Sequence, residues 1–271
     1  MNYYLDTEFL EGKQKENFPI NLFRKYTPNT IDLISIGIVA EDGREYYTIS
    51  KDFNIKEAWN RFQLEQQSGD MRNQFPEGKK VYWIRENVLR PIYSELNTKE
   101  WNTYQKAKSL GINTKTPVFK FTYKEFKRLI KKYGKTNKQI KTEISQFTLD
   151  PNEELYNEWL GTSDEYFEIL LNEEGTKAEF YAYYADYDWV VFCWLFGNMM
   201  NLPKSFPMYC NDLKQLLDEE YRLVGNYKLG LKAHPNFPKQ KNEHNALSDA
   251  RWNKSLHDFL IHTSAKINEN N

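Results

Sequence analysis

Hydrophobic and polar positions along the chain fall into blocks of changing period. Residues 2–9 (Asn-Tyr-Tyr-Leu-Asp-Thr-Glu-Phe) read as a core-type strand. Residues 12–30 are polar and contain Gly12, Pro19 and Pro28, which predicts a loop. Residues 31–40 are a β-branched run, Ile-Asp-Leu-Ile-Ser-Ile-Gly-Ile-Val-Ala, and predict a buried strand. Glu41-Asp42-Gly43-Arg44 then supplies an Asp-Gly turn signal, and residues 45–50 return as a third strand. The chain is thus expected to open as a three-stranded antiparallel meander.

Further on, Val81, Trp83, Ile84, Val88, Leu89, Ile92 and Leu96 recur at roughly helical spacing over 80–96, where Pro91 is expected to kink or split the helix. Helices are predicted over 122–133 and 137–147, with Gly134 between them. Residues 178–185 read as a strand and 188–200 as a very apolar helix. Residues 206–211 predict a strand, followed by a helix over 212–222 capped by Asn211 or Asp212. A loop rich in Gly, Pro and Asn spans 223–243. A closing helix spans 245–262 with Asn245 as its cap, and the last eight or so residues are expected to fray. This order predicts an α/β protein: a mixed sheet, three antiparallel strands and then parallel ones, flanked by helices. At 271 residues the chain suffices for one elaborated domain over 1–271, within which 99–175 reads as an inserted helical subdomain.

Charge changes this picture locally rather than globally. The formal net charge is -1, so no overall basic signal for nucleic acid exists. Residues 99–146, however, hold thirteen Lys/Arg against three Glu, and residues 150–175 hold nine Asp/Glu with no Lys or Arg. Lys106, Lys108, Lys120, Lys124, Lys127, Arg128, Lys131 and Lys132, interleaved with Tyr104, Phe119, Phe121 and Tyr123, read either as a strand-tracking groove or as a solvated face paired with the acidic segment. Cys193 and Cys210 lie in apolar stretches and read as buried free thiols. No run of eighteen apolar residues occurs, and acids at positions 6 and 8 come too early for a signal peptide, so a cytoplasmic setting is expected.

Asp6 and Glu8 are two apart on a predicted strand, which puts both carboxylates on one face. Carboxylates at such a place are costly unless paired or bound to a cation, and oxygen-preferring Mg²⁺ or Mn²⁺ fits. Asp186 and Asp188 stand between a strand and an apolar helix; Asp186 suits an N-cap, and Asp188 suits projection into a cleft at the strand's end. His244 and Asp249 are five apart where the last helix begins. They reach one pocket if His244 lies just outside the helix and Asp249 in its first turns; otherwise they are a surface His and a first-turn Asp that complements the helix dipole.

The set resembles the three signature segments of the DEDDh 3′-5′ exonucleases, an RNase H-like group: Leu5-Asp6-Thr7-Glu8-Phe9, Tyr184-Ala185-Asp186-Tyr187-Asp188 and His244-Asn245-Ala246-Leu247-Ser248-Asp249. Ile31 to Tyr47, Asn211 to Leu217 and Glu243 to Asn253 are further similar to blocks of the polyadenylate-specific 3′-5′ exoribonuclease AS family, a likeness covering roughly 1–55, 80–96 and 178–260. That family is shorter, and residues 99–175 and 12–30 depart from its pattern.

The resemblance implies a two-metal-ion hydrolase. Asp6, Glu8 and Asp249 would hold one Mg²⁺ (or Mn²⁺), Asp6 and Asp188 would contact a second, and His244 would act as general base, imidazole being a base near neutral pH. The substrate implied is single-stranded RNA, with adenine-rich RNA favoured, hydrolysed from its 3′ end to 5′-mononucleotides. A homodimer is implied by the same likeness. Phe9 and Trp189 read either as stacking platforms for terminal bases or as core, and Lys124, Lys127 and Arg128 as substrate contacts. Arg251 and Trp252 read as structural, and His257 and His262 receive no role. The same motifs serve a DNA 3′-5′ exonuclease, since the chemistry acts on phosphate, or a nucleic-acid-binding module without activity.

Overall fold

The β-branched run builds the most thoroughly buried strand among the described residues. In the structure, a computed structural model describing residues 1–16, 19–64, 78–148, 177–224 and 231–269, this strand is β2 (Thr30–Ala40), and Leu33 through Ala40 are all buried. It sits inside a mixed five-stranded sheet of order β3-β2-β1-β6-β7, with β1 at Asn2–Gly12, β3 at Glu45–Ile49, β6 at Glu179–Ala182 and β7 at Asn211–Asp212. The Asp-Gly turn closes as expected: Gly43 has φ +89° and donates its N–H to the Ala40 carbonyl at 3.0 Å. β1 pairs in parallel with β6, Tyr3 opposite Phe180 and Tyr4 opposite Tyr181, and β6 pairs in parallel with β7.

The chain divides into two compact units, one of Met1–Phe9, Ser35–Thr48 and Lys135–Asn271, the other of Leu10–Ile34 and Ile49–Gly134. In the first, alternation along the strands sorts two layers of core. Tyr4 and Tyr181 join Leu213, Leu217, Ala250, Trp252, Leu256 and Phe259. These come from helices α6 (Leu213–Val224) and α7 (Ala246–Glu269). Tyr3 and Phe180, their neighbours in sequence, point the other way. Tyr3 meets Phe147 of α4 (Asn137–Thr148), and Phe180 meets Trp189 and Phe192 of α5 (Ala185–Leu195). The second unit holds α1 (Ile55–Asn60), α2 (Arg90–Ser109) and α3 (Tyr123–Tyr133) around Trp59, Tyr93, Phe121 and Phe126, with Trp59 and Phe121 ring centroids 4.7 Å apart.

Several boundaries differ from the expected ones. Lys80–Val81 is not helical; it forms a short strand, β5, antiparallel to β4 at Gln63–Leu64. The helix that follows runs to Ser109, well past residue 96. Pro91 lies in the first turn of α2, where a missing N–H costs least, and a π-helical turn at Arg85–Leu89 takes up the break. Residues 206–210 are not a strand, because Pro207 lacks a ladder donor and Phe206 N–H is spent in a turn on Pro203. α7 continues to Glu269, since residues 263–269 contain neither Gly nor Pro to stop it. The acidic 150–175 segment lies outside the described residues. Both cysteines are free thiols, Cys193 buried and Cys210 half-buried. Among the described residues, no helix is long and apolar enough to cross a membrane.

One close approach sets where α7 begins. A Cβ added to Gly37 of β2 would stand 2.4 Å from the Ala246 carbonyl oxygen and 2.5 Å from the Leu247 Cα. The first turn of α7 therefore rests on bare strand backbone. Gly37→Ala is expected to destabilise the protein by about 1–3 kcal/mol, read as a lower urea midpoint at unchanged m-value, whereas Gly37→Ala with wild-type unfolding would show that this contact carries no constraint.

Candidate active site

β1 presents its even-numbered residues to α7 and its odd-numbered ones to α5. Tyr4 on the even face bonds through its hydroxyl to His257 Nδ1 of α7 at 2.9 Å. Two and four residues on, Asp6 and Glu8 extend the same face beyond the stretch paired with β6. There they meet Asp249 of α7, and ligand oxygens of the three carboxylates all lie within 4.8 Å of one another. The cluster opens into a cleft of about 290 Å³, also lined by Thr7, Phe9, Tyr183, Tyr184, Tyr187, Asp188, Gln240 and His244. It lies past the carboxyl end of β6, beside the part of β1 beyond their pairing, where open α/β sheets place their ligands.

Asp188 reaches the cleft from the other side of the strand. Its Oδ1 accepts the Thr7 backbone N–H at 2.8 Å and the Thr7 hydroxyl at 2.6 Å. Thr7, between the two acids, is thus the odd-face residue that ties α5 to β1. Tyr184 at the start of α5 is left-handed, φ 58° and ψ 52°, an uncommon state for a non-glycine residue. The N-cap role expected of Asp186 is not realised: Asp186 lies inside the first turn. Asp212 of β7 serves instead, accepting the Ala185 N–H at 3.3 Å while also accepting the Lys214 N–H at 2.7 Å at the start of α6.

His244 and Asp249 do converge. Asn242 and His244 both have positive φ, 51° and 66°, which curls the chain before α7. The His244 N–H donates to Asp249 Oδ2 at 2.9 Å, and Gln240 Nε2 donates to Oδ1 at 2.7 Å. Asn245 caps α7 as expected, its Oδ1 accepting the Ser248 N–H at 3.1 Å. Buried Asn253, one turn below Asp249, donates to the Leu5 carbonyl at 2.9 Å and holds α7 against β1 next to Asp6.

Electrostatics make this a strained grouping without a cation. Burial raises Asp6 well above the usual carboxylate range, reinforced by Asp188, Glu8 and Asp249. Burial, then Asp249 and Asp188, push Glu8 up to about 8. Asp188 rises to about 7 through burial, with its two Thr7 bonds opposing. Burial raises Asp249 too, against the bonds from Gln240 and His244. Among the described residues neither Asp6 nor Glu8 has a hydrogen-bond or ion-pair partner. Hard, closely spaced oxygen donors lacking a counter-charge fit a divalent ion.

The other sequence candidates separate. Phe9 lines the cleft and stacks on Tyr187 at 5.6 Å and 20°. Trp189 does not line it: only 8% exposed, it stacks on Phe192 and bonds the Met208 carbonyl, as its core reading has it. Lys124, Lys127 and Arg128 lie on α3 in the second unit, and Arg128 is bound to Glu125 and Glu100. Arg251 pairs with Glu45, and Trp252 donates to the Pro238 carbonyl. Sequence reasoning missed Thr7, Gln240 and Asn253, and it placed Asp212 only as a cap of α6, not at the start of α5. Of the first three only Thr7 carried a signal, as the polar residue between two candidate acids.

No protein-family model matches the chain. It is similar to two curated proteins, 3′-5′ exoribonuclease Rv2179c and 3′-5′ exoribonuclease MT2234.1, from two strains of Mycobacterium tuberculosis. Each is 25% identical over 265 residues, covering 97% of this chain and 94% of the relative. This likeness points to the general DEDDh, RNase H-like exonuclease family. The mixed sheet flanked by helices is consistent with that fold.

Because these carboxyls bind protons more tightly folded than unfolded, the folded state of the metal-free protein is favoured at low pH. That contribution is lost as pH rises from the ordinary 3.8–4.5 through about 7 and about 8. The melting temperature in EDTA is therefore expected to fall between about pH 5 and pH 8. Saturating Mn²⁺ is expected to restore on the order of 5–10 °C at pH 8 and much less at pH 5. Equal shifts at both pH values would contradict this.

Proposed function

We propose that the protein is a divalent-metal-dependent 3′-5′ exoribonuclease that shortens single-stranded RNA and releases 5′-mononucleotides. The observation that carries the reading is the meeting of Asp6 and Glu8, whose carboxylates have no partner among the described residues, with Asp249, 241 residues beyond Glu8, as oxygen donors within 4.8 Å of one another. Whole-length likeness to two proteins named 3′-5′ exoribonucleases supports the polarity and the preference for RNA. The likeness to the polyadenylate-specific family supports adenine-rich substrates.

In this reading Asp6, Glu8 and Asp249 hold one Mg²⁺ or Mn²⁺, and Asp6 with Asp188 contacts a second. Thr7 supports this division: it occupies Asp188 Oδ1 and leaves Oδ2 without a hydrogen bond among the described residues. When bound, divalent cations supply charge stabilisation at the phosphate and at the leaving oxygen. His244 accepts the proton of the attacking water as the terminal phosphodiester breaks at its bond to the 3′-oxygen, so that the phosphate leaves on the 5′ carbon of the freed nucleotide. Gln240 keeps Asp249 in place. Phe9 and Tyr187, stacked on each other, with Tyr184 at 63% exposure, offer π-faces to the terminal bases.

End-labelled single-stranded RNA incubated with Mn²⁺ should shorten stepwise from its 3′ end, and EDTA should abolish the reaction. Glu8→Ala and Asp188→Ala should each lose more than about a hundredfold in rate. His244→Ala should lose about 10²–10⁴-fold in kcat while still binding Mn²⁺ by calorimetry. Hydrolysis that persists in EDTA, or full turnover by the histidine variant, would refute the respective assignments.

A further inference from the structure

The second unit gathers lysines about two adjoining cavities. One, of about 550 Å³, is lined by Lys51, Lys56, Lys127 and Lys131 together with Asp32, Asp52 and Tyr123. The other, of about 660 Å³, is lined by Lys13, Lys15 and Lys56 together with Arg61, Glu16, Glu57 and Phe62. Asn54 and Lys56 belong to both, so the two cavities adjoin and together constitute the lysine groove. All these residues lie within the one unit.

Three of the four acids along this groove, Asp32, Glu57 and Glu16, are engaged by partners other than the lysines. Asp32 accepts from Gln14 Nε2 at 2.7 Å and from the Thr30 hydroxyl at 2.9 Å. Glu57 pairs with Arg61 at 3.2 Å, and Glu16 with Arg24. Among the described residues, none of the six lysines has an ion-pair partner. By contrast Lys132, one residue from Lys131, pairs with Glu100 at 2.8 Å on another part of the unit. Six like charges around a shared concavity repel one another, and a polyanion removes that cost. An aromatic ring stands at each cavity: Phe62, 44% exposed, and Tyr123, with the Lys127 ammonium 5.8 Å from its ring centroid. Lysines that track phosphates, with a ring at each cavity for a base to stack on, suit a single nucleic-acid strand better than an acidic polypeptide, which has nothing to stack.

We propose that this lysine groove is a second binding site for single-stranded nucleic acid, on a different unit from the acid cluster. It engages the body of a long substrate through its phosphates. The inference deepens the nuclease reading and rests on it for the identity of the polyanion. It also moves the basic contact from Lys124 and Arg128 to Lys127 and Lys131 with Lys51 and Lys56.

The test measures binding of a fluorescent single-stranded RNA in EDTA, where no hydrolysis proceeds, across a salt series. The full chain is compared with the variant Lys51→Gln, Lys56→Gln, Lys127→Gln, Lys131→Gln. A charge-matched control replaces exposed Lys115, Lys138, Lys177 and Lys204 by Gln. Circular dichroism melts establish that each variant is folded. The groove variant should bind at least about tenfold more weakly, with the slope of log K against log salt flattened by about 3, as removal of four phosphate contacts requires. The control should lose less than about twofold. Equal losses in both variants would overturn the proposal, as would an unchanged slope in the groove variant. So would polyglutamate binding the wild type as tightly as RNA does, which would instead point to an acidic protein partner. Wild-type hydrolysis in Mn²⁺ is scored separately. Its failure would defeat the nuclease reading, while the EDTA binding series decides the groove either way.

Discussion

Mutual repulsion among four carboxyls is the constraint that the first unit is built to withstand. Asp6 and Glu8 share a face of β1, Asp249 comes from α7, and Asp188 comes from α5 on the opposite side of the sheet. Left to themselves, such groups separate or protonate. The surrounding structure prevents separation by uncharged means. Gly37 lets α7 lie on the backbone of β2, and the Tyr4–His257 bond pins the same helix about three turns further on. Asn253 ties it to Leu5, and Thr7 ties α5 to the strand. Each is a neutral contact, so none cancels the charge that the cleft concentrates. That leaves the compensation to something from solution.

The period-two alternation of β1 is what lets one short strand address two helices. Tyr3, Leu5 and Thr7 belong to the α5 side, and Tyr4, Asp6 and Glu8 to the α7 side. A register slip of one residue would bury the acids among Phe180 and Trp189 and turn Thr7 towards Asp249. The aromatic anchors Tyr3 and Tyr4, both almost fully buried, fix the register on both faces at once.

Much of this was legible in the sequence because it is local or periodic. The meander, the Asp-Gly turn and the Asn245 cap follow from patterns a few residues long. The pairing of Asp6 with Glu8 follows from strand geometry alone. Asp249 and Asp188 were found through motif resemblance, since nothing local distinguishes a metal-facing aspartate from a helix-capping one. Asp186 illustrates the ambiguity: its cap role went to Asp212, 26 residues later, and no short-range rule exposes that substitution. Trp189 was ambiguous for a similar reason, because apolar rings at helical spacing look alike whether they face a core or a cleft. The lysine groove was only half visible. Lys127 and Lys131 stood out in a basic run, but Lys51 and Lys56 come from an unremarkable stretch that folding brings beside them.

The bond from Asn253 to the Leu5 carbonyl joins residues 248 apart in the chain. During synthesis the first strand leaves the ribosome long before the helix that completes its acidic cleft. A nascent chain therefore carries Asp6 and Glu8 without Asp249 until 241 residues beyond Glu8 have been added. The four carboxyls come together only once α7 has followed, and loop closure over such a span is among the slower steps available to a folding domain.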